Sequence, residues 1–467
     1  MRRAACFFLS LLLLSRESCA VKLSIQPPPA SQGPKITAGG KDPLTNKGNE
    51  LYTTNITISE QVVTVALDMA TTDLWVMPPD GLPSFNDTHL NATVYNIISP
   101  LNGFGTVTGE IGVGVFELSS GYSIPFQAFL NVQPSSSDDG IFGVWGLGLE
   151  PSFTNTAVQQ AYGSNATWGQ SVLANIFAEN STGDDYIGIS LSRSGDTGGT
   201  ADAFLTISEY DSDYQAVANS PKVPRFSTNS FGWTVLLDAL SVGGNKIDWP
   251  SISEEAPAGK NIVQIDIGTD NVRMPLVQLN ALYSTIPGSV STPYVPNLWI
   301  IPCNASVNVV ATFGGQDFPI HPLDLTAIQV ITSPDGRRNY TMCTASWTEF
   351  VFGKDEGVGD ALFGSSFLRN AFTVFNFGTG GNTTGNPFLQ MLPQTNSTTA
   401  AADAIAVRTA LMANMPPELA PVELQGIING TIPSGNTGSP AQNSTALAVA
   451  PSLSLVGAIS VAVISFL

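Results

Sequence analysis

A short apolar strand ending on an acid occurs twice, about two hundred residues apart, and constrains what this chain can become. Residues 62 to 76 read VVTVALDMATTDLWV, with Val63, Val65 and Leu67 alternating with Thr64 and Ala66 up to Asp68. That period of two predicts a β-strand with one buried face. The second copy, residues 261 to 275, reads NIVQIDIGTDNVRMP and carries Asp266 after Val263 and Ile265. A carboxylate at the end of such a strand lies beside packed core, so it needs hydrogen-bond donors or a shared proton. Thr71 and Thr269 each follow their Asp by three residues, with hydroxyls suited to that bond. Two strand-end carboxylates in two half-chains predict a duplicated, two-lobed protein with one acid pair between the lobes.

The rest of the composition narrows the chemistry. Charged residues make up 12% of the 467, and 44 Gly and 32 Pro punctuate the chain, which favours β-structure with many turns. With 18 basic against 37 acidic residues the formal charge is −19, so nucleic acid is excluded as a partner. Such a chain loses self-repulsion as its carboxylates protonate and suits an acidic milieu. The two histidines, His89 and His321, lie in no ligand-spaced cluster, and no phosphate-binding glycine loop is present. The paired carboxylates are the remaining catalytic constellation, and it calls for no cofactor and no metal.

Further segments share the order of the two motifs: DGIFGVWGLG (139–148), FGWTVLLDALSVGG (231–244) and ALFGSSFLRNAFTVFNFG (361–378). Together with Asp68-Met69-Ala70-Thr71-Thr72-Asp73-Leu74-Trp75-Val76 and Asp266-Ile267-Gly268-Thr269, they resemble the pepsin-like aspartic proteases, over most of residues 50 to 390. The chain's ends add a likeness to the glycosylphosphatidylinositol-anchored, yapsin-type fungal members. The resemblance implies a mostly β, bilobal fold with a cleft between two duplicated lobes, about 51–220 and 221–390. It implies that Asp68 and Asp266 share one proton and activate a water against a peptide bond, supported by Thr71, Thr269, Ala70 and Gly268. A hairpin flap covers the cleft in that family, and residues 98 to 118 read as one. Phe104 is the best match for the flap Tyr whose hydroxyl bonds the Trp corresponding to Trp75, although an ordinary hairpin with a core Phe also fits. The apolar spacing of SVLANIFAEN predicts a helix.

Both motifs depart from the family's Asp-Thr-Gly. Met69 and Ile267 replace the two Thr residues that brace one loop against the other, Ala70 replaces a Gly, and Asp270 and Ser365 replace a Ser and an Asp. Asp270 would add negative charge beside the second carboxylate. Two readings of different class follow: an aspartic endopeptidase, and a catalytically silent relative that binds peptides or serves as a wall glycoprotein.

The ends of the chain read as an address. Residues 1–20 have the form of a signal peptide, and 21–50 form a short pro-like segment. Cys303 and Cys343 remain after the leader is removed. In an oxidising compartment they are expected to pair, as the family does here. Sequons mark Asn55, Asn86, Asn91, Asn165, Asn180, Asn304, Asn339, Asn382, Asn396 and Asn429 for glycosylation. Residues 391–445, rich in Ser, Thr, Ala and Pro, read as a stalk. The apolar, uncharged segment 446–467 follows, with Asn436 or Asn443 as candidate attachment residues for a lipid anchor. A retained transmembrane helix is the alternative, with no following Lys or Arg to fix it. The expected protein is a monomer at the cell surface or wall, anchored to membrane by lipid and taking a protein or peptide substrate.

Overall fold

The computed structural model describes residues 40–82, 85–96, 105–133, 140–149, 151–179, 185–193, 203–226, 232–292, 298–349, 359–378 and 386–428. The fold is mostly β. A thirteen-stranded sheet is interleaved from three distant parts of the chain. Strand Asp42–Lys47 pairs with Ala203–Ile207 on one side and with Leu51–Ile58 on the other. Tyr186–Ser190 continues the sheet to Ala371–Asn376, which pairs in turn with Phe388–Pro393. In the other direction it runs through Gln61–Asp68 to the long hairpin arms Asn86–Asn96 and Gly105–Leu118. The second half of the chain builds an eight-stranded sheet around Trp233–Val242 and Asn261–Ile265, and a separate four-stranded sheet.

Burial along the two motif strands explains their sequences. In Gln61–Asp68 the outer half is amphipathic, with Val62 64% exposed beside buried Val63, while every residue from Val65 to Asp68 is buried. All five residues of Asn261–Ile265 are buried. Each strand thus runs from its sheet into packed core, and its acid lies at the buried end. The expected helix is present as Val172–Glu179, begun by Ser171, whose hydroxyl accepts from the Ala174 amide at 3.2 Å. A second helix, Phe153–Tyr162, was not read from the sequence; Ser152 caps it, accepting from the Asn155 amide.

Two expected boundaries are corrected. Residues 42–47, assigned to the pro-like segment, are a strand inside the large sheet, and the Asp42 carboxylate accepts from the Ser119 and Ser120 hydroxyls and the Ser120 amide. At the other end the stalk does not begin at 391, because the chain stays folded to 428. Helix Ala400–Met412 lays Ala400, Ala404 and Arg408, four apart, against the body, and Arg408 donates to the Thr326 carbonyl at 2.7 Å. Helix Pro421–Ile428 buries Leu424 and Ile427 against Ile300, Tyr340 and Met342 of the four-stranded sheet. Between these helices the Glu418 carboxylate accepts from the Cys303 amide at 2.7 Å. Cys303 is bonded to Cys343, with Cα atoms 5.1 Å apart. Closing that loop stabilises the folded state by roughly 3–4 kcal/mol in the chain-entropy account.

The segments are also tied by a buried ion cluster. Asp324 accepts from Arg369 Nε at 2.7 Å, Arg193 Nε at 3.1 Å and Asn370 Nδ2 at 2.9 Å, while Arg369 Nη1 reaches the Asn49 carbonyl at 3.1 Å. Burial alone would push the Asp324 carboxyl upward, but the two guanidinium groups hold it well below the usual carboxylate range. A depressed carboxyl stabilises the fold fully above about pH 4, and that contribution is lost only as pH falls through the depressed value. The cluster therefore survives acid that protonates ordinary carboxylates. Asp324→Ala, which strands the buried Arg369 guanidinium and the partly buried one of Arg193, should lower the urea unfolding free energy at pH 6 by about 3–5 kcal/mol. An unchanged midpoint would contradict this account of the cluster.

Candidate active site

The two acid loops are wired alike. Gln61–Asp68 runs parallel to Gly143–Gly146 with Asp68 opposite Gly146, and Leu74–Val76 returns antiparallel on the same strand. In the second half Asn261–Ile265 runs parallel to Ala361–Phe363, and Val272–Met274 returns antiparallel to it. Each loop thus hangs over a strand that pairs with both its ends. A glycine sits where the loop crosses: a Cβ on Gly146 would lie 2.6 Å from the Thr71 carbonyl, and one on Gly364 2.3 Å from that of Thr269. Backbone bonds fasten the crossings, from Gly148 N to Thr71 O at 2.7 Å and from Ser365 N to Thr269 O at 2.8 Å. Ser365, expected as a departure, is fully buried, and its hydroxyl donates to the Ile267 carbonyl at 3.2 Å.

Asp68 and Asp266 are each 1% exposed. Ala70 N donates to Asp68 Oδ1 at 3.0 Å and Thr71 Oγ1 to Asp68 Oδ2 at 2.5 Å. Gly268 N donates to Asp266 Oδ1 at 2.9 Å and Thr269 Oγ1 to Asp266 Oδ2 at 2.7 Å. A Cβ built on Gly268 would lie 2.7 Å from Asp68 Oδ1 and 3.3 Å from Asp266 Oδ1, so the two inner oxygens face one small space. Burial, then the charge of Asp266, raise the Asp68 carboxyl above its usual range, against the lowering effect of the Thr71 bond. Such a pair holds one proton between its members in acid solution.

Met69 and Ile267 are fully buried and apolar, so no side-chain brace joins the loops. One backbone bond does cross: Met69 N donates to Asp266 Oδ1 at 3.1 Å. Asp270 is turned toward Arg273, whose Nη2 lies 3.1 Å from Asp270 Oδ1, and the like charge acting on Asp68 is that of Asp266. Trp75 is 1% exposed and its indole N–H has no hydrogen-bond partner among the described residues. Phe104, the expected flap residue, lies outside the described residues, between the paired arms that end at Asn96 and Gly105.

Sequence reasoning gave Asp73 no role of its own. Its carboxylate accepts from the Ser152 hydroxyl at 2.7 Å and from the Phe153 and Thr154 amides at 3.0 and 2.8 Å. It thereby ties the end of the first acid loop to the N-terminus of helix Phe153–Tyr162, where the helix dipole favours negative charge. The signal available in sequence was Ser152, a capping residue three before Asn155, but nothing local joins it to Asp73. The histidines are engaged elsewhere: exposed His89 with Asp87, and buried His321 with Asp403 at 3.0 Å.

The profile described as "Asp: Eukaryotic aspartyl protease" matches residues 102–383, a span that contains Asp266 and begins after Asp68. An "Aspartic protease" of Phaffia rhodozyma is 26% identical over 370 residues, 73% of this chain and 78% of that protein. "Aspartic-type endopeptidase ctsD" of Aspergillus fumigatus is 25% identical over 293 residues, 60% of this chain and 52% of that protein. The crystal structure of the aspartic proteinase from Irpex lacteus superposes with a TM-score of 0.56, covering 78% of this chain and 99% of that one. At 16% identity, that last likeness bears on the fold alone. The chain belongs to the eukaryotic aspartyl protease family.

Proposed function

We propose that this protein is an aspartic-type endopeptidase whose catalytic pair is Asp68 and Asp266. The observation that carries the reading is the facing of two buried carboxylates across Gly268, each with its own amide and hydroxyl donors. Two carboxyls so held share a proton. The ionised member takes a proton from a water, and the protonated member polarises the scissile carbonyl. No covalent intermediate forms, and the pair then protonates the leaving amine. The substrate is a protein or peptide lying in the cleft between the lobes.

Asp68→Asn and Asp266→Asn should each lower cleavage of a denatured protein at acid pH by about three orders of magnitude or more, with secretion intact. Gly268→Ala should do the same, because its methyl enters the space between the carboxylates. Cleavage surviving either Asp→Asn change, with contaminating protease excluded, would end the aspartic reading.

A second reading, a silent relative that binds peptides, draws on the buried apolar pair Met69 and Ile267. The double change Met69→Thr with Ile267→Thr separates the two. Under the enzyme reading the loops are already joined through the Met69 amide, and the change should alter kcat less than about tenfold. A protein inert until the double change is made would support the silent reading.

The same proposal extends to the exterior of the cell. The described sequon residues Asn55, Asn86, Asn91, Asn165, Asn304, Asn339 and Asn396 are all exposed, as glycan acceptors must be. Asn180, Asn382 and Asn429 lie outside the described residues, as do the leader 1–20, the anchor signal 446–467 and the candidate attachment residues Asn436 and Asn443. Among the described residues no helix is long and apolar enough to cross a membrane. Phosphatidylinositol-specific phospholipase C should release the protein from cells if its anchor carries an unacylated inositol. Mature membrane-bound protein retaining Leu467 would refute lipid anchorage.

A further inference from the structure

Helix Ala400–Met412 is fastened to the body through the one buried histidine of the chain. The sequence has two, and the His321 side chain is 8% exposed where that of His89 is 68%. His321 follows strand Gln316–Ile320 and opens the short turn Pro322–Asp324, where its Nδ1 accepts from the Leu323 amide at 3.3 Å. Because Nδ1 accepts, the ring proton is assigned to Nε2, which lies 3.0 Å from Asp403 Oδ2 on the helix. The neutral ring is thus satisfied at both nitrogens, by one partner in the body and one on the helix. The His321 amide donates to Asn370 Oδ1 at 2.9 Å and fixes the backbone beneath the ring.

A protonated ring has no such fit. The second proton would sit on Nδ1, so that it and the Leu323 N–H would face each other as two donors. The charged groups nearby do not relieve this. On the helix Asp403 already holds Nε2, and Arg408 is engaged with the Thr326 carbonyl. In the body Asp324 is shared between Arg193 and Arg369. Burial first, then the charge of Arg193, hold the imidazole pKa below its usual 6.5, against the raising effects of Asp324 and Asp403.

We infer that helix Ala400–Met412 is a pH-operated strap, seated on the body while His321 is neutral and released when the ring takes a second proton. Opening gives the ring water on the side where Asp403 now lies, so a proton enters there more readily than in the closed form. Closing is therefore fully favoured above about pH 6.5, and that contribution is lost as pH falls through the depressed value of the closed form. The Asp324 carboxyl beneath, held well below the usual carboxylate range, keeps its charge over the same interval. Acid thus undoes the strap without undoing its seat. Opening also withdraws Arg408 from the Thr326 carbonyl, at the start of edge strand Thr326–Thr332 of the four-stranded sheet. The strap operates whether or not Asp68 and Asp266 are catalytic.

Hydrogen–deuterium exchange of the full secreted protein tests this, with protection corrected for the intrinsic effect of pH on amide exchange. Protection across residues 400–412 should fall about fivefold between about pH 7.5 and about pH 5, while that of strand Ala371–Asn376 stays level. Deuterium uptake at the ring C2 carbon of His321 should titrate over the same interval as the loss of protection. His321→Gln keeps a donor toward Asp403, and His321→Asn keeps an acceptor toward Leu323. Neither side chain titrates, so in both variants the helix should be equally protected at the two pH values. Asp403→Asn should retain the pH response, because the ring still titrates. Wild-type protection that does not fall in acid would overturn the inference. So would a response that survives in both His321 variants, or one that disappears in Asp403→Asn.

Discussion

Two carboxyls taken out of water within reach of each other can persist only with donors and a common proton, and much of the architecture serves that requirement. The donors are backbone amides and threonine hydroxyls of tight loops, so the loops themselves must be held. That is done by parallel strands running beneath them, with a glycine at each crossing where a side chain would strike the loop's carbonyls. Buried Met69 and Ile267 fill the space behind the acids. Rigidity here comes from packing and backbone bonds rather than from hydroxyl contacts between the loops.

The acids were legible because their local contexts are unusual. An apolar alternation running straight into Asp, repeated with a Thr at the same offset, has few other physical uses, and Asp68, Asp266, Thr71 and Thr269 do meet as that spacing suggests. The strands around them were legible for the same reason. Asp73 and Asp324 were not, because their partners lie far away in sequence: Ser152 is 79 residues from Asp73, and Arg193 is 131 from Asp324. An isolated acid in sequence carries no sign of which distant arginine or helix end will meet it.

The two misplaced boundaries have a common physical origin. Strand Asp42–Lys47 reads as DPLTNK, with little apolar alternation, and it holds its position through ladders on both sides and the bonds to Asp42. The region after 390 is rich in Ala, Ser and Thr, a composition shared by linkers and by helices whose buried stripe is made of small residues. Ala400 and Ala404 provide such a stripe. In both places tertiary pairing, rather than the segment's own hydrophobicity, supplies the order.

The C-terminal helices also determine how a mechanical load would travel through the molecule. The last described element, helix Pro421–Ile428, is seated on the four-stranded sheet rather than on Phe388–Pro393 of the large sheet. A pull on whatever follows is taken first by Leu424 and Ile427 in shear against Ile300 and Met342, then by strands joined through the Cys303–Cys343 bond. The Cys303–Cys343 loop is built on a sheet separate from the one whose strand leads into Asp266. A tethered protein built this way could be tugged by its attachment while the separation of its two acids stayed fixed.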